Sequence, residues 1–185
     1  MISTEISVIV PAYNEERRIK PFLEDLGKFA RKSSGTEIIF VNDGSSDSTE
    51  GIIKNFAAAH RNTRIISYRL NRGKGYAIRK GVMAARGSKI IFIDADGSIG
   101  PGEIPRMSKM LEKFDVVVGD RTHYESDVDQ PILRKTTGKM FNSYVNALFG
   151  INIKDNLCGF KGFRKEVARD VFKNLLSCRW IFDVE

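Results

Sequence analysis

Short apolar runs rich in Val, Ile and Phe recur five times before residue 121, with amphipathic stretches between them. No other feature of the chain limits its fold as much. The runs ISVIVPA (6–12), EIIFVND (37–43), TRIISYRL (63–70), KIIFIDA (89–95) and FDVVVGD (114–120) have the length and β-branched content of strands. Between them, residues 15–32 carry Ile19, Phe22, Leu23, Leu26 and Phe29 at helical spacing. Residues 46–60 open on Ser46 or Asp47 as an expected N-cap, with Glu50 placed for a capping box. Helices are also expected over 74–86 and 102–113, where Pro105 falls in the first turn. Strands alternating with helices predict an α/β fold, a mostly parallel sheet with helices on both faces. At 185 residues the length suits one domain with a substantial core.

In such sheets ligands bind beyond the carboxyl ends of the strands. Here those ends read Pro11-Ala12-Tyr13-Asn14-Glu15, Asn42-Asp43-Gly44-Ser45, Asn71-Arg72-Gly73-Lys74-Gly75, Asp94-Ala95-Asp96 and Gly119-Asp120-Arg121. All five are polar. Asp94 and Asp96 stand one residue apart after a buried-type run, and two like charges there repel unless a cation lies between them. A lone Asp-x-Asp pair is usually a solvated turn. Beside four other polar strand ends, the pair instead predicts a site for a hard divalent cation, Mg²⁺ or Mn²⁺, completed by substrate phosphates. The glycine-flanked basic turn at 71–75 opens a helix, where backbone N–H groups and Lys74 would favour a diphosphate. It matches neither the phosphate-binding Gly-x-x-x-x-Gly-Lys-Ser loop nor the dinucleotide-binding glycine triplet. Asp43 could accept a hydrogen bond from a nucleobase or form a local turn, and Tyr13 could stack on a base or pack beneath its loop.

The net charge of +7 is not spread evenly. Residues 134–182 hold ten Lys/Arg against three Asp/Glu, which equals the whole excess. That predicts either an anionic partner, such as a phosphate, a membrane surface or a nucleic acid, or a solvated basic face. No apolar run approaches twenty residues, and MISTEISVIVPAYNEE lacks the basic start of a signal peptide. Cys158 and Cys178 fit no disulfide framework or metal spacing, so a cytosolic setting with reduced thiols is expected. After Arg121 the pattern changes to a polar loop (122–132), an expected helix (133–149), NLCGFKGF and a further helix (164–176). The ending RWIFDVE breaks off inside an apolar run, which leads us to expect further chain beyond Glu185 in the whole protein.

The segments PAYNEE, VNDGSSDST, NRGKGYAIRKG, DADGS, GDR and DNLCGFKGF, in this order, resemble family 2 glycosyltransferases of the GT-A fold. NRGKGYAIRKGVMAARG, CGFKGFRKE and RWIFDVE are most similar to the dolichyl-phosphate β-glucosyltransferase branch, with the mannosyltransferase branch next. The resemblance implies that Pro11, Tyr13, Glu15 and Asp43 hold the nucleoside of a nucleotide sugar, UDP-glucose or GDP-mannose. It implies that Asp94 and Asp96, Asp96 foremost, bind the metal and diphosphate. Arg121 and Arg134 match arginines that meet the acceptor phosphate, and Asp155 and Glu185 match positions near the sugar or acceptor. Residues 1–121 would form the nucleotide-sugar half and 122–185 the acceptor half of one domain. The full-length protein would then sit at, or be anchored to, the cytoplasmic face of a membrane. Two departures stand out: Asn42-Asp43 where relatives often carry two aspartates, and Gly-Asp-Arg where Gly-Ser-Arg is commoner.

Three functions follow as expectations. The first is inverting transfer of a hexose, glucose favoured, to a polyprenyl phosphate. That acceptor is already ionised, so it needs arginines to place it rather than a strong base. The second is transfer to a saccharide hydroxyl, which needs a carboxylate base, for which Asp155 is the candidate. The third is a non-catalytic module binding a nucleotide sugar or a polyanion, with nucleic acid the least favoured partner.

Overall fold

Along the chain run β1 (Ile6–Ala12), α1 (Ile19–Lys32), β2 (Thr36–Asp43), α2 (Thr49–Ala59), β3 (Thr63–Tyr68), α3 (Lys74–Ala84), β4 (Lys89–Ile93), a 3-10 turn (Pro101–Glu103), α4 (Ile104–Met110), β5 (Val116–Val118), β6 (Phe160–Arg164), α5 (Lys165–Asn174) and a second 3-10 turn (Trp180–Asp183). The computed structural model describes residues 4–120, 143, 148, 150, 155–177 and 179–183. The described strands form one sheet in the order β3-β2-β1-β4-β6-β5. β1 pairs in parallel with β2 and β4, and β2 with β3. β6 lies antiparallel between β4 and β5. The carboxyl ends of β1 to β5 therefore share one edge, as the alternation predicts.

Side chains alternate across the sheet because the strand period is two. Val8, Val10, Ile38, Phe40, Ile91 and Ile93 face α1, α2 and α4 on one side. Ile9, Ile39, Val41, Ile90 and Phe92 face α3 and α5 on the other. Both faces of the central strands are thus buried, which is why β2 is buried at every position. The β1–β4 ladder ends at Ile9 and Phe92, while β1 and β2 stay paired to Ala12 and Asn42. Pro11, which has no amide hydrogen to donate, falls just past the end of the β4 ladder. The chain order also reverses between β1 and β4, so a crevice opens there beyond their carboxyl ends.

Several boundaries differ from expectation for visible reasons. Helix α1 starts at Ile19 rather than near residue 15; a turn precedes it, in which the Glu15 carbonyl accepts the Arg18 and Ile19 amides (2.9 Å each) while the Glu15 and Glu16 amides donate to Thr49 Oγ1 (2.7 Å) and Asp47 Oδ2 (3.2 Å). Helix α2 starts at Thr49 with Ser48 at the N-cap position. Asp47 Oδ1 accepts the Thr49 amide at 3.0 Å, and Glu50 pairs with Lys54 instead of closing a capping box. The expected 102–113 helix divides into a 3-10 turn and the short α4. β6 was not expected: FKGFR lacks the alternation of a half-buried strand, and its Lys161 is buried with its Nζ bonded to the Asn156 carbonyl (2.8 Å) and paired with the distant Asp183. The expected loop 122–132 and helix 133–149 lie outside the described residues, apart from 143 and 148.

At the opposite edge, Glu37 is buried and ties three elements together. Ser7 Oγ (2.6 Å) and the Arg86 amide (2.7 Å) donate to its Oε1, and Arg64 Nη2 donates to its Oε2 (2.8 Å). Burial alone would push the Glu37 carboxyl up; hydrogen bonds from Ser7 and Arg86, with the Arg64 charge, outweigh it and hold it below the ordinary value.

Candidate active site at the carboxyl edge

The loop after β1 is fastened to the loop after β2. Asn14 takes a left-handed conformation (φ 54°), and its Oδ1 accepts the Ser46 amide at 2.9 Å. The Asn14 amide in turn donates to Ser45 Oγ at 3.1 Å. This fastening leaves Tyr13 exposed at 46% and turns Glu15 inward, with its Oε1 accepting from Arg18 at 2.8 Å. The other Glu15 oxygen, Oε2, is buried with no hydrogen-bond partner in the structure. Burial raises the Glu15 carboxyl above its ordinary value; Arg18 opposes the shift, and Asp96 and Asp94 add to it. Glu15 thus lies close enough to Asp94 and Asp96 to feel their charge.

Asp43 is buried at the end of β2, and its contacts alter the expected role of the turn at 71–75. Its Oδ1 accepts the Arg72 amide (2.8 Å), and its Oδ2 accepts the Gly73 amide (2.8 Å) and Asn71 Nδ2 (2.9 Å). The turn amides expected to hold a diphosphate thus already hold the protein's own carboxylate. Gly44 makes the approach possible: its φ is +68°, and a Cβ there would lie 2.6 Å from the Asn71 nitrogen. Nearby, burial and the Asp43 charge raise the Tyr68 phenol and keep it neutral.

In the structure a side-chain cation lies beside Asp94. Lys74, the first residue of α3, places Nζ 2.6 Å from Asp94 Oδ1 and 2.9 Å from Oδ2. Asp94 is fixed from behind: its amide donates to the Gly159 carbonyl (3.1 Å), and a Cβ on residue 159 would sit 1.8 Å from Asp94 Oδ2. Asp96 Oδ1 accepts the Ser98 amide at 3.0 Å, a local turn that holds the side chain at the strand end. Among the described residues no three Asp, Glu, His or Cys side chains close into a metal cage. The donor set nevertheless suits a hard cation: Asp94 and Asp96 offer carboxylate oxygens one residue apart at the end of β4. The remaining ligands would be substrate oxygens or water.

Asp155 is buried in the turn entering β6, and its carbonyl accepts the Cys158 amide at 3.2 Å. That turn lies at the same edge, because Phe160 pairs with Ile93. Arg121, Arg134 and Glu185 lie outside the described residues. Sequence reasoning missed Asp183, which forms a buried ion pair with Lys161. Burial raises the Asp183 carboxyl; Lys161 and then Lys74 oppose that shift, and Asp94 adds to it, so this pair neighbours the Lys74–Asp94 pair. One signal was available: Asp183 in WIFDV and Lys161 in GFKGF are single charges inside apolar runs, and such charges need partners.

Among the described residues, several basic side chains of the last third are engaged within the fold. Lys161 is buried, Arg164 donates to the carbonyls of Leu111 (3.0 Å) and Glu112 (2.9 Å), and Lys165 donates to that of Arg86 (2.9 Å). The Lys165 amide donates to the Ser88 carbonyl, just before β4 begins, so Arg164 and Lys165 lie at the edge opposite the site. No described helix is long and apolar enough to cross a membrane.

A profile described as "Glycosyl transferase family 2" matches residues 7–172. The chain is 36% identical over 196 residues to a dolichyl-phosphate beta-glucosyltransferase of Dictyostelium discoideum, covering 97% of this chain and 60% of that protein. It is 32% identical over 198 residues to the Homo sapiens protein of the same name, covering 98% and 61%. The chain thus spans about 60% of the length of these curated relatives. Glucosyl-3-phosphoglycerate synthase from Mycobacterium tuberculosis, solved with Mn²⁺, UDP and glucosyl-3-phosphoglycerate, superposes with a TM-score of 0.68 at 20% identity. That match covers 97% of this chain and 62% of that one. A mannosyltransferase from Pyrobaculum calidifontis, solved with GDP-Man and Mn²⁺, gives 0.63 at 20% identity, covering 94% and 47%. At such identities the likeness is one of fold.

Proposed function

The chain belongs to glycosyl transferase family 2 and has a GT-A-like fold, and on that premise we propose that it transfers a hexose, glucose favoured, from a nucleotide sugar to a polyprenyl phosphate with inversion. The observation that carries the proposal is the convergence of Glu15, Lys74, Asp94 and Asp96 at the crevice between β1 and β4. The names of the curated relatives support the lipid-phosphate acceptor and the sugar.

In this reading Pro11, Tyr13 and Glu15 border the nucleoside. Asp43 serves it by holding the Asn71–Lys74 turn, with any contact of its own to the base additional to the three bonds it already accepts. Asp94 and Asp96 would hold a divalent cation, Mg²⁺ or Mn²⁺, which supplies charge neutralisation to the departing diphosphate. Lys74 lies where it can add to that stabilisation, an effect that is usually the largest catalytic contribution. An oxygen of the acceptor phosphate attacks the anomeric carbon from the face opposite the diphosphate. The glycosidic C–O bond to the diphosphate breaks, and the nucleoside diphosphate leaves. Arg121 and Arg134 are proposed to place the acceptor phosphate, with residues 122–185 forming the acceptor half of the domain. A saccharide hydroxyl would need a carboxylate base; Asp155 is buried and Asp183 is engaged by Lys161, so neither favours that acceptor.

Incubating the full-length protein with radiolabelled UDP-glucose, GDP-mannose or UDP-N-acetylglucosamine, plus polyprenyl phosphate and Mg²⁺ or Mn²⁺, tests the proposal. Label from UDP-glucose should pass into the lipid extract. Label that stays water-soluble with every donor would refute it.

A further inference from the structure

We propose that Lys74 is an exchangeable counter-cation for Asp94. Its ammonium must leave that carboxylate when a divalent cation binds there, and the nucleotide diphosphate receives it, so that ion and nucleotide load together. The inference rests on the reading of the crevice as a nucleotide-sugar site. It starts from the geometry of one ion pair: Lys74 Nζ contacts both Asp94 oxygens, at 2.6 and 2.9 Å, with the lysine side chain only 15% exposed. A divalent cation bound at those oxygens competes with the ammonium for the same side of the carboxylate, and the two positive charges repel at that range.

The two partners differ in freedom to move. Asp94 is held by its bond to Gly159 and by the close approach of that glycine. Lys74 carries its charge on a four-carbon stem and can swing. Its backbone is anchored as the first residue of α3, where the Gly73 carbonyl accepts the Ala77 amide. The ammonium therefore stays over the helix start after leaving Asp94. The anion it meets there is a diphosphate at the crevice, with Asp183 the other carboxylate in its field. Without a nucleotide, moving the ammonium sacrifices an ion pair; with one, it exchanges one anionic partner for another. Ion and diphosphate thus promote each other's binding by equal factors beyond their direct contact.

Mn²⁺ binding, followed by loss of the free-ion paramagnetic resonance signal with and without UDP or GDP, separates the possibilities. Wild type should bind Mn²⁺ alone weakly and tighten when UDP is present. Lys74→Met should bind Mn²⁺ alone about tenfold more tightly and gain less from UDP, since the competitor is gone. Lys74→Gln repeats the comparison should the Met variant melt early, and Lys74→Arg should behave as wild type. Arg72→Met removes a cation from the same turn that does not contact Asp94, and should change Mn²⁺ affinity less than twofold. Unchanged or weaker Mn²⁺ binding by both neutral Lys74 variants would overturn the exchange, as would an equal gain in Arg72→Met. Absence of Mn²⁺ binding by wild type with either nucleotide removes the nucleotide-site reading, and the exchange with it.

Discussion

Asp94 and Asp96 carry the same charge at the same strand end, yet the structure gives them different partners. Asp94 is engaged by Lys74 and backed by Gly159, whereas Asp96, among the described residues, makes a local turn to Ser98. Asp96 is thus the carboxylate whose loss removes a cation ligand without dismantling the crevice. Asp96→Ala should lower transfer by at least about 10²-fold, with little change in melting temperature; turnover close to wild type by a folded variant would remove the metal role. Gly159→Ala should act through structure instead, because the new methyl collides with a carboxylate that cannot retreat. We expect a loss of about 2 kcal/mol, read as a fall of about 4–8 °C in melting temperature. The Asp-x-Asp spacing was legible in the sequence. The lysine beside it was legible as a basic turn, but its target was not, since the start of α3 and the end of β4 meet only once the sheet has assembled.

β6 shows why an element can be invisible in sequence and decisive in space. It brings Gly159 against Asp94, separates β4 from β5, and buries Lys161 opposite Phe92. Nothing in FKGFR alone marks a strand, because its lysine belongs inside only once Asp183 neutralises it. Removing one member of a buried pair strands the other charge, so Lys161→Met should destabilise the protein by about 3–5 kcal/mol. Adding Asp183→Leu to that variant should recover part of the loss, and denaturant unfolding of the four proteins in the cycle measures the coupling. Additive losses would mean that the pair contributes nothing beyond its separate contacts. Strands β1, β2 and β4 were legible because each is an apolar run with both faces covered, and the edge strand β3 because of its β-branched content. The start of α1 was not: the turn before it is bonded to Thr49 and Asp47, more than thirty positions on, and no local pattern marks those contacts.

Across the whole molecule, the two edges of the sheet divide the work. The carboxyl edge gathers carboxylates that gain from a bound cation, while the opposite edge ties β1, β2 and β3 through Glu37. Glu37 is held below its ordinary value, so its contribution to stability is complete above about pH 4.5, the ordinary glutamate value, and is lost as pH falls through the lower folded value. Glu37→Gln should be less stable than wild type by about 2–3 kcal/mol at pH 7. That gap should narrow as denaturation is repeated toward pH 3, and a gap independent of pH would show that the carboxylate charge is not the source. The sequence by itself determined the alternating architecture, the shared edge at which polar strand ends gather, and the family. Those follow from local periodicity and ordered motifs, which need no knowledge of what lies across the fold. Only the tertiary structure decided which charges meet: Lys74 with Asp94, Lys161 with Asp183, and Asp43 with the turn that leads into α3. Each joins residues twenty or more positions apart. A charge is recognisable in a sequence, but its partner is set by strand order and register, which exist only once the sheet has formed.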